Sequence, residues 1–359
     1  MNPDNQPLDG VAIVYCDGAF ATPNGKTAHG LVRFTRRYRV GAVIDQRHAG
    51  KDAREVLDRK AGGIPVVADL AAARAAVPDA THFVIGLAPD GGRLPPEARE
   101  TVAEALKGGL HVDSGMHDFL TEDAELVALA KASGVRMRDV RRPPDRSALH
   151  GFSGRIEEVG SLIIALLGTD SAVGKRTTAW LLVDAIRARG LSAEMIGTGQ
   201  TAWMQGVRYG IVLDSLINDF VAGELEHAVL RAWDEGRPDV MVVEGQGSLM
   251  NPAYPGGFEI LAATRPDSIV LQHAPARDEY DGFPGYAMHP LTTQIAAHEL
   301  IGGRKVVAIT INHEELDLDA IDSICEQIAA ETGLPTVAPL LQPLDPLVNA
   351  VLEHRHGRR

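Results

Sequence analysis

The segment Gly168-Thr169-Asp170-Ser171-Ala172-Val173-Gly174-Lys175-Arg176-Thr177-Thr178 spaces two glycines and a lysine as a phosphate cradle requires. Glycines let successive backbone N–H groups converge on phosphate oxygens, and the lysine neutralises charge that backbone dipoles leave unbalanced. Gly168, Thr169, Ser171, Ala172, Val173, Gly174, Lys175, Arg176 and Thr177 are therefore the candidate residues for holding a phosphate-bearing ligand. The residue after the lysine departs from the usual pattern. Enzymes of ATP and GTP place a Ser or Thr hydroxyl there for Mg²⁺, whereas Arg176 has no acceptor lone pair. Thr177 lies about 100° further round a helix. A cation at 176 suits a phosphate-rich ligand that needs no metal. The competing reading is an ordinary strand-to-helix turn, in which Lys-Arg in the first helical turn would oppose the helix dipole.

A second chemical signal is Val240-Met241-Val242-Val243-Glu244-Gly245-Gln246-Gly247-Ser248. Four apolar residues deliver an acid to a strand end, where P-loop proteins keep the carboxylate that orients Mg²⁺ or a nucleophile. The alternative is a helix-capping glutamate on a loop. Gln200, His273 and His289 follow strand-like runs and sit beside Gly- and Pro-rich loops, where α/β sheets bind ligands.

These residues need a scaffold that brings strand ends together. Apolar runs at residues 11–15, 40–45, 64–67, 81–86, 110–113 and 135–140 alternate with helical stretches, including a basic one from Thr27 to Tyr38. This predicts a parallel sheet covered by helices. The alternation resumes with runs at 162–167, 193–197, 240–244, 268–271, 305–310 and 335–337, and with a long helix from Ser215 to Asp234. Pro143-Pro144 and the glycines near 151–154 mark a boundary within residues 141–156. The fold class expected is α/β, with a Rossmann-like parallel-sheet domain over 1–145 and a P-loop NTPase-like domain over 156–359. Gly25-Lys26-Thr27 also follows a strand, but Phe20 and Pro23 make its loop a poor cradle, and no G-x-G-x-x-G supports dinucleotide binding there. His111, Asp113, His117 and Asp118 close an N-terminal strand. They contain no cysteine and no helical i, i+4 pair, so they read as a capped helix start and no metal site is expected.

The 359 residues are 45% hydrophobic and 23% charged, with a formal net charge of −13. That charge argues against nucleic acid as a partner, so an anionic ligand must be captured by a local device. No apolar run is long enough for a bilayer span and Met1 to Asp9 are polar, so the expectation is a cytoplasmic protein without membrane contact. Cys16 and Cys325 are far apart and imply neither a disulfide framework nor a zinc site.

Gly-Thr-Asp-x-x-Val-Gly-Lys at 168–175 together with Val-Val-Glu-Gly-x-Gly at 242–247 resembles the dethiobiotin synthetase and cobyrinate amidase branch of P-loop enzymes. Nearly the whole chain resembles a bacterial two-domain family that includes D-glutamate N-acetyltransferases. The shared residues include Lys26 to Gly30, Gly168 to Thr178, Gly197 to Thr201, Asp214-Ser215, Asn218 to Phe220 and Glu244 to Gly247. The resemblance implies N-acetylation of D-glutamate with acetyl-CoA as co-substrate, in D-glutamate catabolism, and an enzyme that forms a homo-oligomer. Acyl transfer needs a base for the ammonium and a donor for the tetrahedral oxyanion. Glu244, Asp214 and Asp170 are the candidate bases, with Glu244 preferred. Gln246 is a candidate donor, and Gln200, Thr201, Gln246, His273 and Arg277 are candidate substrate contacts, the arginine for a carboxylate. An ATP-dependent ligase of the dethiobiotin synthetase type, using Mg-ATP, is the alternative enzyme. A nucleotide-regulated binding protein is the non-enzymatic one.

Overall fold

The computed structural model describes residues 8–356; the polar start at residues 1–7 lies outside the described residues. The chain divides into two compact units, one running to Pro143 and including Gln200–Val207, the other holding Pro144–Gly199 and the chain from Arg208.

In the first unit, strands β1 (Gly10–Tyr15), β2 (Tyr38–Ile44), β3 (Val66–Val67), β4 (His82–Ile85), β5 (His111–Ser114) and β6 (Met137–Asp139) form one parallel sheet in the order β3-β2-β1-β4-β5-β6. This is the strand order of a doubly wound Rossmann sheet. The connecting helices are α1 (Lys26–Arg33), α2 (Ala53–Asp58), α3 (Leu70–Ala76), α4 (Pro96–Lys107) and α5 (Ala124–Ser133). Short strands buried on both faces, such as His82–Ile85, explain the near-continuous apolar runs. The acid at the end of the second strand, where dinucleotide domains hold a ribose, has another task. Asp45 is fully buried, accepts a 2.7 Å bond from the Gly18 amide and contacts His48.

Three sequence expectations change in this unit. The basic helix stops at Arg33 instead of reaching Tyr38, because Gln205 Nε2 bonds the carbonyls of Gly30 (2.8 Å) and Phe34 (2.9 Å), and Tyr38 joins the sheet. Gln205 belongs to Gln200–Val207, which follows a strand of the other unit in sequence but packs here. Arg37 Nε donates to the Trp203 carbonyl at 2.8 Å, with its guanidinium 3.8 Å from the Trp203 ring centroid. Asp113 caps no helix: it lies within β5 and accepts bonds from Tyr38 Oη and from Arg138 at 2.5 Å.

In the second unit, β7 (Leu162–Gly168), β8 (Ala193–Gly197), β9 (Tyr209–Gly210), β10 (Val240–Glu244), β11 (Ser268–His273), β12 (Val306–Ile311) and β13 (Thr336–Val337) form a parallel sheet in the order β13-β12-β11-β7-β10-β8-β9. Its helices are α6 (Lys175–Ala188), α8 (Asn218–Gly236), α9 (Phe258–Thr264), α10 (Leu291–Gly302), α11 (Ile321–Thr332) and α12 (Asp345–Leu352), while α7 (Gln200–Met204) belongs to the first unit. All seven residues of β7 are buried between β10 and β11. That central position puts the loop after Gly168 between the carboxyl ends of two neighbours, and β10 pairs with β7 in a register that sets Glu244 opposite Leu166. No helix among the described residues is long and apolar enough to cross a membrane.

Candidate active site

The loop between β7 and α6 turns through two left-handed residues, Ala172 at φ +51° and Gly174 at φ +104°. Gly174 precedes α6 without a side-chain cap. The first turn of α6 thus starts from a loop whose amides are turned by left-handed residues, the backbone arrangement of an anion nest. Two further glycines serve the lysine. A Cβ on Gly168 would lie 2.9 Å from Lys175 Cδ, and one on Gly245 would lie 3.0 Å from the same atom and 2.4 Å from the Leu166 carbonyl. The aliphatic stem of Lys175 therefore runs past both glycines, and its buried ammonium donates to the carbonyls of Asp170 (2.6 Å) and Gly247 (2.8 Å). The two motifs recognised in the sequence are joined through this one side chain.

Asp170 is fully buried and binds four donors. One oxygen accepts from the Ser171 amide (2.7 Å) and Asn251 Nδ2 (2.8 Å), the other from Arg277 Nη1 (3.0 Å) and the Asp281 amide (2.8 Å). Asp281 returns the contact, accepting from Ser171 Oγ at 2.9 Å. A carboxylate so fully engaged is a fastening between three loops. Arg277 is engaged to match: it also donates to the Ser171 carbonyl (2.9 Å) and to Glu314 (2.8 Å). Burial pulls its pKa down, but the Glu314 hydrogen bond and the charges of Glu314, Asp281 and Asp170 outweigh this and raise it.

Glu244 ends β10 and is buried. One of its carboxylate oxygens accepts from the Thr198 amide at 2.8 Å, while Thr198 Oγ1 donates to the Glu244 carbonyl at 3.0 Å and accepts from Gln246 Nε2 at 3.1 Å. Burial raises the Glu244 pKa, opposed by the charge of Arg176, the Thr198 amide and the charge of Lys175. The cation that follows the P-loop lysine thus acts on this acid. Asp214 is exposed, in a turn whose Leu213 amide bonds the Thr198 carbonyl at 3.0 Å. Gln246 is half-buried, its amide so near Gly199 that a Cβ there would lie 2.8 Å from Nε2.

His273 ends β11, and its Nδ1 lies 3.0 Å from Thr169 Oγ1. Burial lowers its pKa to about 4, so the ring is neutral at physiological pH. Gln200 and Thr201 open α7, which belongs to the first unit, where Thr201 Oγ1 lies 2.9 Å from Thr27 Oγ1. Sequence reasoning missed Asn251, Asp281 and Glu314, whose neighbours carry no motif. It also missed Gln272, whose Oε1 accepts from Thr178 (2.6 Å) and Thr310 (2.7 Å); a lone polar residue in an apolar strand was its only signal.

Two family models match the chain. Residues 46–143 match the DUF1611_N Rossmann-like domain of unknown function, and residues 150–348 match the DUF1611_C P-loop domain of unknown function. The chain belongs to the DUF1611 family. A crystal structure of a DUF1611 family protein from Anabaena variabilis superposes with a TM-score of 0.88 at 29% identity, over 96% of this chain and 99% of that one. Two curated relatives are both named D-glutamate N-acetyltransferase. One, from Tritonibacter scottomollicae, is 30% identical over 76% of this chain and 81% of its own length; the other, from a Pseudoalteromonas species, is 30% identical over 75% and 80%.

Proposed function

We propose that this protein transfers the acetyl group of acetyl-CoA to the amine of D-glutamate, in D-glutamate catabolism. The observation that carries the proposal is the pair of relatives named D-glutamate N-acetyltransferase, each aligned over three quarters of the chain. The site chemistry is consistent with it. The nest before α6 and Lys175 suit phosphate groups of coenzyme A. A resident Mg²⁺ does not fit the same residues: the position that would donate a hydroxyl is Arg176, and Glu244 is held by the Thr198 amide beside that arginine's charge.

In the proposed reaction the amine nitrogen attacks the thioester carbonyl, forming the amide C–N bond. The C–S bond breaks, the ammonium proton goes to a base, and the departing thiolate takes up a proton. Of the three carboxylates, Glu244 is the proposed base. Burial raises its pKa toward the range in which a carboxylate accepts protons effectively near neutrality. Asp170 has four donors bound to it and Asp214 is exposed, so neither is comparably poised. Gln246 Nε2 and loop amides near Gly245 are the proposed oxyanion donors, and neutral His273, beside Thr169, is a proposed substrate contact.

The test is incubation with D-glutamate and either acetyl-CoA or Mg-ATP, following free thiol and ADP. Thiol release without added metal is expected. ADP formation with no thiol would favour the ligase reading and overturn this one.

A further inference from the structure

Two loops of the second unit carry aromatic rings that the fold leaves open. Tyr254, between β10 and α9, is 46% exposed, and Tyr286, between β11 and α10, is 58% exposed. The half-buried Phe283 makes a T-shaped contact with each of them, at ring-centroid distances of 6.3 and 6.2 Å. Single exposed apolar side chains are ordinary, but a contiguous aromatic cluster on tied-down loops marks a surface that meets a ligand.

Both loops are built onto the phosphate cradle. Asn251 Nδ2 donates to Asp170 at 2.8 Å, and Asn251 Oδ1 accepts the Tyr254 amide at 2.8 Å. The Tyr254 carbonyl accepts the Ser248 amide at 3.2 Å and lies against Gly247, where a Cβ would sit 2.0 Å from it. Gly247 is also the residue whose carbonyl receives the Lys175 ammonium. In the other loop Asp281, two residues before Phe283, binds Asp170 through its amide and Ser171 through its carboxylate. The turn that follows is closed by the Phe283 amide on the Tyr280 carbonyl (2.9 Å), the Tyr286 amide on the Phe283 carbonyl (3.1 Å) and the Tyr280 amide on the Tyr286 carbonyl (3.0 Å). The rings are thus fixed beside the cradle before a ligand arrives. Ser171, Ala172 and Gly174 of the cradle are themselves partly exposed, so a ligand reaches both from solvent.

The size of the patch limits its occupant. An aromatic side chain has roughly 150–250 Å² to bury, so two half-exposed tyrosines offer on the order of 200 Å², far below the ~800 Å² per partner of a standard protein interface. That area suits one flat heterocycle. The acetyl group, the pantetheine arm and glutamate have no π-face, whereas adenine has one and stacks on aromatic side chains. In coenzyme A a single ribose separates that base from the phosphates, in keeping with rings anchored at Gly247 and Ser171.

We propose that Tyr254 and Tyr286, braced by Phe283, form the stacking surface for the adenine of an adenine nucleotide whose phosphates occupy the Lys175 loop. Under the acetyl-CoA reading, on which this rests, the adenine is that of coenzyme A. Asp170 then fastens base site and phosphate site to each other.

The test measures affinity by calorimetry for coenzyme A and for 4′-phosphopantetheine, which lacks the adenosine, and follows the emission of ethenoadenine coenzyme A, which stacking quenches. Wild type is expected to quench the probe and to bind coenzyme A at least about tenfold more tightly than 4′-phosphopantetheine. Tyr286→Ala and Tyr254→Ala should each raise Kd for coenzyme A about tenfold and restore emission. Tyr286→Phe should keep wild-type behaviour, and Tyr286→Leu, which retains apolar bulk without a π-face, should behave as the alanine variant does. If Tyr286→Leu binds and quenches as wild type, or the alanine variants change the particle mass in light scattering and leave Kd unchanged, the rings serve packing or contact between copies and the proposal is overturned. Failure of the acetyltransferase reading looks different. Wild type would then release no thiol from acetyl-CoA, and the base site would survive only if ethenoadenine ATP were quenched by wild type and not by the alanine variants.

Discussion

Replacing Asp170 by asparagine tests whether this carboxylate fastens the site. Its two oxygens each receive two donors, at 2.7 and 2.8 Å on one side and 2.8 and 3.0 Å on the other. Asparagine keeps one oxygen, and whichever way its amide is turned, its NH₂ group faces two N–H donors. Two hydrogen bonds are lost, and Arg277, 16% exposed, loses its buried counter-charge while keeping its ion pair with the half-exposed Glu314 and the charge of Asp281. Breaking such a buried pair costs about 3–5 kcal/mol, so for a unit of this size the melting midpoint should fall by on the order of 10 °C. Thermal and urea unfolding of Asp170→Asn, Arg277→Met and the double variant at pH 7 measure this. The double variant should be less destabilised than the sum of the singles by at least about 1.5 kcal/mol, because the second change removes the charge that the first strands. A loss below about 1 kcal/mol for Asp170→Asn, with the two changes additive, would refute the fastening role.

Other outcomes follow from the same geometry. Lys175→Ala should abolish coenzyme A binding in calorimetry, and unchanged affinity would remove the phosphate assignment. Glu244→Gln should lower kcat by about 100-fold or more if it is the base, and Arg176→Met, by removing a cation that holds the Glu244 pKa down, should move the acid limb of kcat/KM to higher pH. An unmoved limb would disconnect Arg176 from Glu244. His273 titrates at about 4 when folded against 6.5 ordinarily. The unfolded chain therefore binds its proton first as pH falls, and up to about 3 kcal/mol of stability present above pH 6.5 is lost by pH 4; His273→Gln should flatten the melting midpoint's dependence on pH over that range. Gly245→Ala should destabilise the fold, since its Cβ would meet the Leu166 carbonyl at 2.4 Å, whereas Gly168→Ala meets mainly the flexible Lys175 stem and should impair ligand binding more than folding.

Much was legible in the chain because the physics was local. Strands β8 and β10 fall where the apolar runs placed them, and the run into Gly168 and Lys175 became a buried strand, a left-handed turn and a helix. A period of alternating apolar strands and helices is sufficient for a parallel α/β class, and a glycine-bracketed lysine is sufficient for a cradle. What the sequence could not rank were side chains whose roles depend on partners about 40 to 110 residues away. Asp170, Asp214 and Glu244 are alike as residue types. Only burial, four donors on the first, exposure of the second and the Thr198 amide on the third tell them apart. Arg277 looked available for a substrate carboxylate until Asp170 and Glu314 were found on it. The helix that ends at Arg33 is likewise a tertiary fact, set by Gln205. The sequence by itself determined which backbone the chain would build and that Lys175 would stand at a loop. The tertiary structure decided which charges that loop would face, because the pKa of a carboxylate and the availability of a guanidinium are properties of their neighbours.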